Sequence, residues 1–142
     1  MSVASGDHDA LVPDLQTFHS LLPRGGAVDE GFNVSAANIS HLRLALAIDL
    51  APATQATLAA NTTWRTSHAD GVYGPGGGLI RGAAGSAAHH VGDSVNLYVV
   101  WSIDRHATLD LAVGYFRSGR FVRESGPDRD MAFFTPTFYY RF

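Results

Sequence analysis

The chain has 142 residues, a formal net charge of -3 and no cysteine. That length admits one ordinary domain, the charge leaves no basic footprint for nucleic acid, and the missing thiols exclude disulfides, thiolate metal sites and cysteine nucleophiles. All ten Lys+Arg residues are arginine, so a Walker-type phosphate loop and Schiff-base chemistry are also excluded.

The N-terminal stretch MSVASGDHDALVPDL lacks a charged region followed by a hydrophobic one, so no signal peptide is expected in this chain. No apolar run approaches the ~20 residues of a membrane helix. Residues 1–38 read mostly as loop and 39–142 as strands, within one unit spanning 1–142.

From residue 39 onward the chain alternates with a period of two, the spacing of a strand. In 39–50, Leu42, Leu44, Leu46, Ile48 and Leu50 share one face and His41, Arg43 and Asp49 the other. In 55–67, Leu58 and Trp64 oppose Asn61, Thr63 and Arg65. In 93–104, Val95, Leu97, Val99 and Trp101 oppose Ser94, Asn96 and Tyr98. In 107–116, Leu109, Leu111, Val113 and Tyr115 oppose Thr108, Asp110 and Gly114. The closing MAFFTPTFYYRF puts Phe134, Pro136, Phe138, Tyr140 and Phe142 against Phe133, Thr135, Thr137, Tyr139 and Arg141. Each segment runs roughly ten to thirteen residues, longer than the usual soluble strand and long enough to cross a bilayer at a tilt.

The connections alternate as well. APAT (51–54) and the turn at 104–107 are short, whereas 68–92 and 117–130 are long. This is the habit of outer-membrane barrels, which have tight turns on the periplasmic side and long loops outside. Trp64, Tyr115, Trp101 and Ile103 fall near strand ends, as interfacial girdles require. The expected fold is therefore all-β: an antiparallel up-and-down meander of about five long strands, part of a transmembrane β-barrel.

The stretches GDHDALVPDLQTFHSLLPRG (6–25), NTTWRTSHADGVYG (61–74) and DRHATLDLAVGYFRSGRFVRESGPDRDMAFF (104–134), with the closing YYRF, resemble the C-terminal part of the bacterial alginate-export family of outer-membrane barrels. The resemblance implies a large barrel of roughly eighteen strands that passes an anionic uronate polysaccharide through an arginine-lined pore, without ATP or catalysis. It implies location in the outer membrane of a Gram-negative bacterium, with lipid, the polysaccharide or other anions, and the outer-membrane assembly machinery as partners. The terminal aromatics Phe138, Tyr140 and Phe142 look like the signal that this machinery reads. Five strands are too few to close a pore. The chain is thus expected to be a C-terminal fragment or truncated product, its remaining barrel strands coming from a longer chain or an oligomer.

By parity Arg43, Arg65 and Arg141 point inward, where a guanidinium suits a carboxylate bidentately. Asp49 and Asp110 share that face and are expected to pair with arginines and keep a polyanion from sticking. Structural ion pairing across the wall is the plainer role for these arginines. Arg117, Arg120, Arg123 and Arg129 read as a solvated loop network. His89-His90 and the DHD at 7–9 lack metal-site geometry, and GPGGG (74–78) lacks the context of a nucleotide loop. No catalytic residue, metal or cofactor is expected. Two other readings stay open: a soluble β-rich carbohydrate-binding module, and a general porin without polysaccharide specificity.

Overall fold

The computed structural model describes residues 1–8, 17–18 and 34–142. The expectation that 1–38 is mostly loop, and most of the stretch 6–25, fall largely on residues outside these. The elements in chain order are β1 (Ser2–Val3), β2 (Ile39–Ala51), β3 (Thr54–Arg65), β4 (Val72–Tyr73), β5 (Leu79–Arg81), β6 (His90–Ser102), β7 (Ala107–Ser118), α1 (Arg120–Ser125) and β8 (Met131–Tyr140). One antiparallel sheet carries the order β1-β2-β3-β6-β7-β8, and β4 pairs with β5 apart from it.

All five long strands lie where the alternation puts them, with changes at their ends. β3 stops at Arg65, β6 starts at His90 and β7 extends to Ser118. Arg141 and Phe142 follow β8 rather than belonging to it. Two short turns form one rim of the sheet. Pro52 and Ala53 join β2 to β3, and at the second turn Asp104 Oδ1 accepts the N–H groups of His106 (2.7 Å) and Ala107 (2.9 Å). An aspartate closing its own turn in this way makes the tight β6–β7 connection.

The opposite, loop rim is not loose. The segment 68–89 folds back as the β4–β5 hairpin, turning at Gly77 (φ 78), and 119–130 contains the single-turn helix α1. Val34, Ile39, Val72, Val91, Phe121 and Val122 pack there into one apolar cluster. Val91 reaches it through a bulge: His90 pairs with Trp64 and Gly92 with Thr63, leaving Val91 as the extra residue.

The sheet itself is inverted relative to a soluble protein. Its apolar face is exposed, with Leu44 at 68 %, Val95 at 54 % and Phe134 at 65 %. Its polar face is sheltered on the central strands, with Asn61, Ser94 and Asn96 all buried, and open along β2, where Arg43 and Asp49 are exposed. Each fully buried aliphatic side chain is worth about 1.5–3 kcal/mol, so water is the wrong solvent for so continuous an apolar face.

Candidate functional site on the sheltered face of the sheet

The register aligns inward side chains into rows running across the strands. Below the His41, Thr63, Gly92 and Ser118 row at the loop rim comes Arg43, beside Asn61, Ser94 and Phe116. The next row is Ala45, Ala59, Asn96, Gly114 and Phe133. Below it lie Ala47, Thr57, Tyr98, Ala112 and Thr135, then Asp49, Gln55, Val100, Asp110 and Thr137. Small residues hold the wall flat where rings cross it. A Cβ on Gly114 would collide with the Phe133 ring, and one on Gly92 with the Phe116 ring.

The Arg43 guanidinium stands over the Tyr98 ring, 5.6 Å from its centroid. Asn61 Nδ2 donates to Ser94 Oγ at 2.9 Å, and Gln55 Nε2 donates to Asp49 Oδ1 at 3.0 Å. Asp110, together with Tyr98, Thr135, Thr137 and Tyr139, lines a hollow of about 400 Å³. Its Oδ1 is buried and meets no hydrogen-bond donor among the described residues. Asp49 and Asp110 share a row but form no salt bridge with arginine among the described residues. Arg141 sits at the turn rim. Its N–H donates to His106 O at 2.9 Å, and its carbonyl accepts His106 Nδ1–H at 2.8 Å.

Arg65 is placed differently from Arg43. It is 1 % exposed, beneath the folded loops. Nε donates to Ala88 O, Nη1 to His68 O and Asp70 O, and Nη2 to Ser86 O and Ala88 O, at 2.6–3.2 Å. These contacts use all five guanidinium donors.

A second knot closes the loop rim. Asp70 Oδ2 accepts Thr17 Oγ1–H (2.6 Å) and the Asp7 N–H (3.0 Å), while Oδ1 accepts the Gly71 N–H and Tyr73 O–H, both at 2.7 Å. Burial opposes ionisation of Asp70, but the four donors outweigh it and hold the carboxyl below its ordinary range. Burial, then the hydrogen bond and charge of Asp70, pushes Tyr73 up to about 12. Asn38, in the left-handed region at φ 54, accepts the Ser67 N–H and donates to Ser67 O and Gly71 O.

Residues 1–135 match the model of the family described as Alginate export. The chain belongs to the alginate export family. No curated protein matches it. Members of the alginate export family are outer-membrane β-barrels of Gram-negative bacteria and act as transport channels, and theirs is not an enzyme family. The exposed apolar face of this alginate-export chain is what a barrel wall turns to lipid.

Parity assigned Arg43 and Arg65 alike, and could not distinguish them, because part of the lid over Arg65, the carbonyls of Ser86 and Ala88, comes from residues more than twenty positions along the chain. Tyr98, Tyr139 and Thr137 also belong to the sheltered face, and their positions were readable from the same alternation that gave Asp110. Asn38 and Asp70 were legible only as turn-type residues. Their roles depend on long-range partners in this alginate-export chain.

Proposed function

We propose that the chain forms one side of an outer-membrane channel that exports an anionic, uronate-type polysaccharide, its loop rim extracellular and its turn rim periplasmic. The observation that carries this reading is the inversion of the sheet: one face apolar and largely exposed along the long strands, the other polar, with its central residues Asn61, Ser94 and Asn96 buried. A soluble carbohydrate-binding module would have to leave Leu44, Val95 and Phe134 in water.

In this reading Arg43 is the polymer contact, offering a carboxylate its guanidinium from a position steadied by Tyr98. Asp49 and Asp110 lie six residues further along the wall, about 20 Å away, where they repel carboxylates and prevent a deep trap. They also accept hydrogen bonds from sugar hydroxyls. Arg141 meets the polymer at the periplasmic rim. Arg65, its donors satisfied by carbonyls, braces the extracellular loops. Phe138, Tyr140 and Phe142 serve recognition by the outer-membrane assembly machinery, while Phe138 and Tyr140 also cover the lipid face.

The test is single-channel conductance of the assembled barrel in planar bilayers. Uronate oligomers should block it at concentrations where neutral oligosaccharides of equal length do not. Equal competition by simple anions would make it a general anion porin.

A further inference from the structure

The hollow beside Asp110 lies in the turn-side half of the polar face and is built by long strands alone. Its floor is Ala112 with the backbone of Val99 and Leu111, whose side chains belong to the apolar face. Tyr98 on β6 stands at its loop-side end and Tyr139 on β8 at its turn-side end. Tyr98 shares a row with Thr135, and Tyr139 follows four residues later along β8. Ordinary strand spacings then put the Cα atoms of the two tyrosines about 17 Å apart. Thr135, Thr137 and Asp110 line the trough between them.

The lining is suited to one kind of ligand. The hydroxyls of Thr135 and Thr137 have no hydrogen-bond partner among the described residues, and no arginine lines the hollow. Tyr139 leaves 52 % of its surface uncovered, whereas the Tyr98 ring is already engaged by Arg43. An apolar ligand would strand the threonines and Asp110 without partners. A small anion would meet the Asp110 carboxylate with no cation beside it. A pyranose ring fits both conditions. Its C–H face matches the negative face of an aromatic ring, and its hydroxyls exchange hydrogen bonds with the threonines. The volume of about 400 Å³ is within the usual range of small-molecule sites.

We propose that this hollow is a sugar subsite, which takes a pyranose ring of the passing polymer on Tyr139, its hydroxyl edge toward Thr135 and Thr137 and its carboxylate turned away from Asp110. The subsite reads the ring and not the charge. Neutral sugars therefore enter it too, but more weakly overall, because Arg43 adds nothing for them. This inference deepens the channel reading and rests on it.

The test is block of the assembled barrel by uronate oligomers in planar bilayers, read at low and at high salt. Tyr139→Ala should weaken block about two- to tenfold, the scale of one lost ring-face contact. The factor should be the same at both salt concentrations, because a ring on a C–H face carries no net charge to screen. Tyr139→Phe should block like the parent. Thr137→Val keeps the side-chain volume, loses the hydroxyl, and should also weaken block about two- to tenfold. Tyr139→Leu takes the place of the alanine variant if that barrel does not assemble, with the same expectation. Unchanged block without the ring, a loss that fades with salt, or an equal loss in Tyr139→Phe overturns the proposal. A parent barrel blocked alike by neutral and uronate oligomers, with the Tyr139→Ala loss intact, would remove the uronate reading and leave the subsite standing. A parent barrel that no sugar blocks would remove both.

Discussion

The Arg65 guanidinium carbon lies 3.8 Å from the centroid of the Phe121 ring, so the end of β3 and helix α1 meet face to face. This contact joins the two long loops, and the carbonyls around the same guanidinium belong to His68, Asp70, Ser86 and Ala88. The loop rim is thus one folded shell with a cationic centre.

Arg65→Lys should open that shell. An ammonium has three donors and no planar fork, so at least two of the buried contacts are lost, and each orphaned polar group costs about 1–3 kcal/mol. Limited proteolysis should then cut within 68–89 while leaving the strands intact. Phe121→Leu, which keeps apolar volume but removes the ring, should produce a smaller effect. Equal protease resistance of Arg65→Lys and the parent chain would show that the shell does not depend on this centre.

Acid should loosen the same shell. Asp70 is depressed in the folded state, so its contribution is full above the unfolded carboxyl value of about 4 and is lost as pH falls through the folded one. Tyr73 works in the opposite sense. Its folded value is raised to about 12, so its contribution is full below the unfolded value and is lost as pH climbs toward 12. Amide protection at Ser67 and Gly71 should be flat between about pH 5 and 9 and fall outside that window. Asp70→Asn should remove most of the acid limb, at the cost of lower protection throughout. A parent chain as protected at pH 3 as at pH 7 would show that the carboxylate is not the tie.

The strands were legible because period two is a local property. Leu42 to Leu50 declare their face with no knowledge of the partner strand, and the short turns expected at 51–54 and 104–107 then force antiparallel neighbours. What lies above the loop rim was not legible. RFVRES (120–125) is too short for helical periodicity to emerge, and it is held by contacts from outside, including Arg65 on Phe121 and Arg81 Nη1 on Val122 O at 3.1 Å. The bulge at Val91 shifts the register at one point, which an unbroken alternation cannot reveal. Pro136 breaks no bond of the β7–β8 ladder, because the Arg141 N–H bond to His106 O makes Leu111–Pro136 a non-bonded pair, and that register was not legible.

The C-terminal aromatics carry the third prediction. Tyr140 stands between the His106 and Phe142 rings, at 6.1 and 6.2 Å, on the turn rim. Deleting Phe142 or making Tyr140→Asp should cut the yield of barrel in the outer membrane with synthesis unchanged. A charge facing lipid costs about 2–4 kcal/mol at mid-bilayer and less near the interface. Burial therefore accounts for little of the loss at this rim, and recognition by the assembly machinery for most of it. A Leu97→Arg control at mid-strand should fail through burial instead, leaving recognition intact and an assembly intermediate that accumulates. Normal membrane yield from both C-terminal variants would leave the terminal aromatics as ordinary lipid-facing residues.

Ion selectivity separates the two arginines that parity had grouped together. Arg43 faces the sheltered side near Tyr98, so Arg43→Glu in the assembled barrel should lower the anion preference and weaken block by uronate oligomers. The contact is water-exposed, so the shift should be modest, roughly two- to fivefold, and should fade as salt shortens the screening length. Arg65→Glu is a different experiment, because it buries a carboxylate among carbonyl oxygens. It should appear as unstable or noisy channels from a disordered shell, not as a clean change of selectivity. Asp110→Asn removes a charge that repels carboxylates, so it should raise anion permeability; an unmoved ratio would mean that Asp110 is no electrostatic barrier. The measurement is the cation-to-anion permeability ratio at low ionic strength. An Arg43→Glu barrel with an unmoved ratio would mean that Arg43 only packs against Tyr98, and that polymer passage depends on other residues of the wall.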